Sequence, residues 1–343
     1  MARRIRELWI VCGLLAVAVA VAALPAEAAG RRDPLPSWRD GPAKRALLRF
    51  VAAVTRPGGP DYVPPSERIA TFDNDGTLIA ERPLYFQAYF VMQRIRDLAP
   101  DHPEWKELQP FQAVLDGDED ALKRMGLPEI MALVLAASAE ITEREYVASI
   151  DRFLATAEHP GFGVPFTQLV YQPMLELLAL LRARGFEIFI CSAGGPEFIR
   201  SFSEEVYRIP RHNVIGSDMQ MSFEMRGEEP VLLRLPRFVQ PNNERDGKPI
   251  NIDRTIGRSP ILAFGNSDGD IEMLEFTAYS GHPHLGLLLR HDDEEREFAY
   301  DEGAEKAFAM ASERGWMMVS MKQSFRRIFP RVVRPPSPPL AAP

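Results

Sequence analysis

The sequence predicts an α/β fold: a Rossmann-like parallel sheet core with helices on both faces, a helical cap inserted after the first strand, and a small β insertion. Short apolar runs alternate with helical patterns, as in parallel sheets covered by helices. A long helix-rich segment interrupts this alternation after the first strand, and one later segment alternates like a hairpin. At 343 residues, 46% of them hydrophobic, the chain can bury a large core.

The core strands are predicted from short apolar runs bounded by turn signals or helical patterns. They are Ile69–Phe72, Phe186–Cys191, Asn213–Ile215, Ile261–Phe264, Leu285–Leu289 and Met317–Val319. An amphipathic helix over Tyr171–Arg184 leads into the second strand. Gly185 ends this helix, because glycine is favoured just past a helix C-terminus.

Composition and periodicity also predict the organisation of the chain. The predicted segments are a signal peptide over 1–28, an N-terminal extension over 29–66, the core over 67–82 and 168–330, a helical cap over 83–167, a β insertion at about 219–247, and a disordered tail over 331–343. The extension is rich in Pro, Gly and Arg but holds one helical stretch, Ala46–Val54. Inside the β insertion, Met219–Pro236 forms a hairpin that turns at 226–229.

The N-terminus has the pattern of an export signal. Three arginines precede an apolar run, Leu8–Leu24, which is followed by a small-residue cleavage site, Ala26–Ala28. We therefore expect an exported protein, periplasmic or secreted, with no stable membrane insertion after cleavage. The alternative is an uncleaved anchor, since the run reaches the lower limit of roughly 17 residues for a membrane span.

Charge and cysteine content narrow the classes of partner. The formal net charge is -8, and removal of the signal peptide takes away more arginines than glutamates. An acidic protein lacks the basic surface that nucleic acid requires, so a small diffusible substrate is expected. Cys191 is the one cysteine of the mature chain, which excludes an internal disulfide. The sequence does not indicate the oligomeric state.

Two carboxylates follow the first predicted strand. Asp73 and Asp75 lie one residue apart in the segment Asp-Asn-Asp-Gly-Thr. Ligands bind outside the carboxyl ends of strands in open α/β sheets, so both acids are placed where a site is expected. One carboxylate can attack while the other transfers protons. A calcium loop is excluded, because its sixth and twelfth positions would hold Leu78 and Leu84 instead of Gly and Glu.

This segment resembles the first motif of the haloacid dehalogenase superfamily, and three further motifs follow in the family's order. The second is an apolar strand ending in Ser192, followed by Ala193 and Gly194. The third is matched by Lys248, and the fourth by acidic residues after a strand, ending in Asp270. The resemblance covers about residues 67–330 and is nearest to the phosphoserine-phosphatase-like branch.

The resemblance implies a Mg²⁺-dependent phosphomonoester hydrolase that forms an aspartyl-phosphate on Asp73, with Asp75 as general acid and base. It implies that Lys248 is catalytic and also binds phosphate. The remaining implied phosphate-binding residues are Ser192, Ala193 and Gly194. The implied metal ligands are Asp73, Asp75, Asn266 and Asp270. A phosphotransferase of the same superfamily, or a catalytically weak phosphate-binding protein, remains an alternative.

Two positions depart from the family pattern. Asn266 stands where related phosphatases carry a metal-binding aspartate, so we expect Asn266→Asp to tighten Mg²⁺ binding. The branch also has a glutamate nine residues after the nucleophile that helps to bind the serine amine. Here that position is Arg82, with Glu81 beside it, so phosphoserine is no more favoured than another phosphomonoester.

Two other chemistries are less consistent with the sequence. Cys191 as the nucleophile of a cysteine phosphatase would need an arginine six residues later, where the chain has Glu197. His282 and His284 form a lone His-x-His pair in a Pro/Gly-rich stretch, which is weak support for a zinc site.

Overall fold

The computed structural model describes residues 33–333. The predicted signal peptide, residues 1–28, lies outside the described residues, as does residue 334 onward of the predicted tail. None of the helices in the described part of the chain combines the length and apolar character needed to cross a bilayer.

The core is a six-stranded sheet with every neighbouring pair parallel, in the order β3-β2-β1-β6-β7-β8. Its strands are β1 (Ile69–Phe72), β2 (Glu187–Cys191), β3 (Val214–Ile215), β6 (Leu262–Gly265), β7 (Leu285–Arg290) and β8 (Met317–Ser320). The predicted fold class is therefore confirmed, and each predicted strand is present with ends that match or differ by one residue. Asn213 is not in β3, because it ends a 3₁₀ turn and donates to the Ile188 carbonyl.

Helices cover both faces of this sheet. The helices are α1 (Pro42–Thr55), α2 (Phe86–Leu98), α3 (Phe111–Asp116), α4 (Glu119–Arg124), α5 (Leu127–Ser138), α6 (Glu143–Thr156), α7 (Gln172–Ala183), α8 (Pro196–Tyr207), α9 (Gly247–Ile256), α10 (Ile271–Phe276), α11 (Glu305–Arg314) and α12 (Met321–Ser324). Alternate strand residues enter two separate cores. Ile188 and Ile190 pack into the larger one, and Phe189 packs into the other with α9, α10 and α11.

The strand register brings the motif residues to one edge of the sheet. Phe72, the last residue of β1, is level with Ile190 on β2 and with Phe264 on β6. Neighbouring strands lie about 4.8 Å apart. The residues that directly follow these three central strands therefore lie side by side, at the end where α/β sheets bind ligands.

The two insertions pack against each other. Helices α2–α6 follow β1, and the antiparallel hairpin of β4 (Met219–Arg226) and β5 (Glu229–Phe238) follows β3. Arg234 on β5 is buried against the cap: its Nε donates to the Ser138 carbonyl at 2.9 Å, and its Nη1 pairs with Glu143 at 2.5 Å. Its guanidinium lies 3.9 Å from the Tyr146 ring centroid. One buried side chain thus joins segments that are about ninety residues apart.

The N-terminal extension packs on the edge of the sheet near β8. Trp38 is fully buried, donates through Nε1 to the Pro173 carbonyl, and meets the Phe325 ring edge-on at 4.8 Å. α1 contributes Leu47, Val51 and Val54 to the larger core. The extension therefore covers apolar surface at the edge of the sheet.

Candidate active site

A buried lysine links two of the motif carboxylates. Lys248, in the first turn of α9, places its Nζ 2.9 Å from Asp73 Oδ1 and 2.6 Å from Asp270 Oδ1. Burial opposes the charge of Lys248, but Asp270 and Asp73 raise its pKa. The first, third and fourth motifs therefore meet in one ion-paired group.

The electrostatics of the first motif favour a bound cation. Burial raises the pKa of Asp73, as do the neighbouring charges of Asp270 and Asp75, while Lys248 lowers it. Burial and the charge of Glu81 raise the pKa of Asp75 to about 6. Several carboxylates are thus concentrated around one ammonium group, and a divalent cation would relieve their repulsion.

The turn after β1 holds its shape through buried contacts. The Asn74 carbonyl accepts from the amides of Thr77, Leu78 and Ile79, and the Asn74 side chain accepts from the Tyr207 hydroxyl at 3.0 Å. Gly76 has a φ of +72°. The turn directs the strand-end acids without relying on exposed loop residues.

Gly76→Ala is expected to disrupt this turn. A Cβ at Gly76 would lie 2.1 Å from Asn266 Nδ2 and 2.7 Å from Glu81 Cδ, in addition to the cost of a positive φ. We expect a loss of about 2 kcal/mol or more in unfolding free energy, measured by urea denaturation. Gly58→Ala is the matched control, because Gly58 has a φ of +71° and open space around it. Equal losses in the two variants would contradict the steric part of this explanation.

Two backbone amides in the loop of the second motif have acceptors. The Gly194 amide donates to Ser192 Oγ at 3.1 Å, and the Gly195 amide donates to Gln87 Oε1 at 2.8 Å. Gln87 comes from α2 of the cap segment. Asn243 Nδ2 also stabilises the loop by donating to the Ser192 carbonyl at 2.8 Å. A cap residue therefore contacts the second-motif loop at Gly195, next to the predicted phosphate-binding residues.

Asn266 is the first polar residue after β6, and both polar atoms of its side-chain amide have hydrogen-bond partners. Its Oδ1 accepts from Thr77 Oγ1 at 3.0 Å, and its Nδ2 donates to Glu81 Oε1 at 3.0 Å. Glu81 is buried and also accepts from the Tyr300 hydroxyl at 2.6 Å. Burial raises the pKa of Glu81, while His291 lowers it. Arg82 instead stacks on Tyr300, with its guanidinium 4.3 Å from the ring centroid.

Both oxygens of Asp270 already have partners. Oδ1 faces Lys248, and Oδ2 accepts from the amides of Asn266 and Ser267 at 2.9 and 3.0 Å. A metal bound directly by Asp270 would have to share Oδ1 with Lys248, because Oδ2 already accepts from three donors. Asp268 turns away and accepts from the Ala307 amide at the start of α11.

The remaining donors fit a hard cation. Among residues 33–333, no three His, Cys, Asp or Glu side chains are grouped so as to hold a metal. A cation here would therefore combine the carboxylate of Asp73 with oxygens of Asp75 and with the neutral Asn266 Oδ1, which leaves the Asp75 carboxyl group able to carry a proton. Carboxylate and amide oxygens are the ligands that Mg²⁺ and Ca²⁺ prefer.

The buried His291 side chain contacts the turn of the first motif. His291 Nε2 donates to the Gly76 carbonyl at 2.8 Å, and Nδ1 faces Glu297 at 3.1 Å. Although burial disfavours its charge, Glu297 raises the pKa of His291. The imidazole also stacks on Tyr300 at 4.4 Å. These contacts fix the turn that carries Asp75.

Sequence reasoning missed most of the supporting residues. They are Gln87, Asn243, His291, Glu297 and Tyr300, together with the contact between Glu81 and Asn266. None of them lies in a recognisable motif. The one signal in the sequence is Glu81. It lies one position before Arg82, where the phosphoserine-phosphatase-like branch carries a glutamate.

The two rival chemistries find no support in the geometry. Cys191 is buried, and this burial raises the pKa of its thiol to about 12, which keeps it protonated. Glu197 pairs with Arg200 and Arg211. His282 pairs with Glu67 at 2.8 Å, at the opposite end of β1 from Asp73.

Solved structures are similar to this chain at low sequence identity. A functionally unknown protein from Anaerococcus prevotii matches with a TM-score of 0.53 and 16% identity, over 81% of this chain and 91% of that one. A phosphoserine phosphohydrolase-like protein from Francisella tularensis matches at 0.40 and 18%, over 74% and 94%. A probable phosphoserine phosphatase from Vibrio cholerae matches at 0.40 and 13%, over 76% and 62%.

A comparison with curated proteins gave no match. The profile of the haloacid dehalogenase-like hydrolases matches residues 70–275. This range is more than half of the chain and contains Asp73 and Ser192, which directly follow β1 and β2. It also contains Asp270, in the 3₁₀ turn after β6, and Lys248, in the first turn of α9. The chain therefore belongs to the haloacid dehalogenase-like hydrolase family.

Proposed function

We propose that this protein is a Mg²⁺-dependent phosphomonoester hydrolase that acts through an aspartyl-phosphate on Asp73. The observation that carries the proposal is the buried contact of Lys248 with both Asp73 and Asp270, at the strand end beside the Ser192 loop. Phosphoryl transfer depends mainly on positioning and on stabilising charge, and this group of residues provides both.

Asp73 is the nucleophile of the proposed reaction. Its carboxylate attacks phosphorus, and the bond from phosphorus to the leaving oxygen breaks. Asp75 gives its proton to that oxygen and then takes a proton from the water that hydrolyses the aspartyl-phosphate. A pKa of about 6 suits a group that must both donate and accept a proton near neutral pH.

The other residues handle negative charge. Lys248 neutralises charge shared by Asp73 and the phosphoryl group, and Asp270 holds Lys248 in place. Ser192 and the amides of Ala193 and Gly194 bind phosphoryl oxygens. Mg²⁺, held by Asp73, Asp75 and Asn266, would neutralise the remaining phosphoryl charge.

The proposed substrate is a small phosphorylated molecule, and the proposed location is outside the cytoplasm after removal of residues 1–28. The acidic composition supports a diffusible substrate in preference to nucleic acid. Turnover of p-nitrophenyl phosphate, measured with Mg²⁺ and with EDTA, tests the proposal. No turnover with Mg²⁺ by the full chain, across a panel of phosphomonoesters, would contradict it.

Asp75→Asn is expected to slow hydrolysis by at least about 10²-fold, because it removes the general acid. The loss should be larger for alkyl phosphates than for p-nitrophenyl phosphate, since a good leaving group needs less protonation. Comparing kcat for both substrates in wild type and variant checks this. An equal loss for both would show that Asp75 does not protonate the leaving oxygen.

A further inference from the structure

The side chain of Asn266 is oriented by a partner that only accepts hydrogen bonds. Glu81 Oε1 receives both the Asn266 amide and the Tyr300 hydroxyl, at 3.0 and 2.6 Å. An oxygen that accepts from two donors carries no proton of its own, so Glu81 Oε1 acts here only as an acceptor. Asn266 must therefore turn its nitrogen towards Glu81, which leaves its oxygen for Thr77 and for a cation.

An aspartate at position 266 would conflict with this arrangement. One of its oxygens would replace Nδ2 and lie about 3 Å from Glu81 Oε1, with no proton between them. Two buried carboxylates at that distance repel strongly. The neutral residue at 266 and the charged residue at 81 are therefore matched to each other.

We propose that Glu81 is a positioning residue. Through its hydrogen bond to Asn266 it supplies the negative charge that the metal site lacks at position 266. The inference deepens the proposed function and rests on it for the identity of the metal. Glu81 is buried and in direct contact with Asn266, so a charge on its carboxylate acts on the metal site with little screening by water.

This assignment changes the expectation for Asn266→Asp. Taken alone, an aspartate adds a negative ligand and tightens Mg²⁺ binding. With Glu81 in contact, the single variant instead brings two carboxylates together and destabilises the protein without Mg²⁺. We therefore expect the effect of Asn266→Asp to depend on the residue at position 81.

Glu81→Gln tests the charge alone. The glutamine oxygen can still accept from Asn266 and Tyr300, so both hydrogen bonds remain while the charge is lost. We expect Mg²⁺ binding to weaken by about tenfold or more, measured by isothermal titration calorimetry with MgCl₂ on the full chain. Glu67→Gln is the matched control for net charge, because Glu67 lies before β1, at the far end of the strand.

The double variant Glu81→Gln/Asn266→Asp moves the carboxylate from position 81 to position 266. The glutamine introduced at position 81 can turn its amide towards the new carboxylate at position 266, and the Tyr300 hydroxyl can then accept instead of donate. We expect Mg²⁺ affinity within about threefold of wild type, and recovery of the thermal stability that Asn266→Asp loses. Unfolding temperatures with and without Mg²⁺ give a readout that does not depend on turnover.

Three outcomes would overturn the inference. They are wild-type Mg²⁺ affinity in Glu81→Gln, an equal effect of Asn266→Asp with and without the Glu81→Gln change, and absence of Mg²⁺ binding by the wild type. If the wild type hydrolyses phosphomonoesters but binds no Mg²⁺, the inference about Glu81 is wrong, while the assignment as a phosphomonoester hydrolase stands. Coupled Mg²⁺ binding without turnover of any ester would instead remove the proposed hydrolase and keep the pairing of the two side chains.

Discussion

Asp73→Asn is expected to abolish turnover, with kcat lower by at least roughly 10³-fold, because the carboxylate that forms the covalent intermediate is lost. The fold should survive the change. The asparagine oxygen can still accept from Lys248, which keeps its 2.6 Å contact with Asp270. Initial rates with p-nitrophenyl phosphate give the kinetic result, and mass spectrometry of acid-quenched enzyme detects the phosphorylated residue in the wild type.

Asp253→Asn is the matched control for Asp73→Asn, because Asp253 lies on the exposed side of α9. It should leave both rate and unfolding temperature unchanged. Turnover close to wild type in Asp73→Asn, with the fold intact, would exclude Asp73 as the nucleophile.

Lys248→Met is expected to damage both activity and stability. The loss of one preorganised cation should lower kcat by about 10²- to 10³-fold. The variant also leaves Asp73 and Asp270 buried without their shared ammonium group, and breaking such a buried pair typically costs about 3–5 kcal/mol. Lys322→Met, at an exposed position of α12, controls for the loss of a lysine elsewhere.

The stability loss in Lys248→Met should depend on pH. Burial already raises the pKa of Asp73, and without the ammonium group the folded-state pKa lies still further above the unfolded value of about 3.9. Folding then binds protons, so the variant becomes more stable relative to wild type as the pH falls towards that value. Urea denaturation at pH 5 and pH 8 measures the difference. The same loss at both values would mean that the buried carboxylate does not carry the effect.

The fold could be predicted because its signals are local. In Ile69–Phe72 and Leu285–Leu289 every residue except Thr71 is apolar, and strands of this kind are typical of a covered parallel sheet. The order of four motifs also placed Asp73, Ser192, Lys248 and Asp270 on elements that the structure brings together. Asn213 was included in a strand because its backbone turn and its bond to Ile188 depend on tertiary contacts.

The environment of the motifs could not be predicted in the same way. Gln87 and Asn243 reach the Ser192 loop from segments that are about a hundred and fifty residues apart. Glu81 meets Asn266 across a separation of 185 residues. Such contacts depend on how the chain returns to the sheet edge, and neither periodicity nor spacing within one segment reports on that.

The buried contact of Arg234 with the cap limits how the site can open. A cap that swung away from the core by itself would pull Glu143 and the Ser138 carbonyl from the guanidinium. It would also break the contact between the guanidinium and the Tyr146 ring, so a hydrogen bond, an ion pair and a cation–π contact would be lost together. The low-energy motion is therefore one in which cap and hairpin swing together, with hinges near both ends of each insertion. Access to the site would then depend on coordinated movement of the four segments that connect the two insertions to the core.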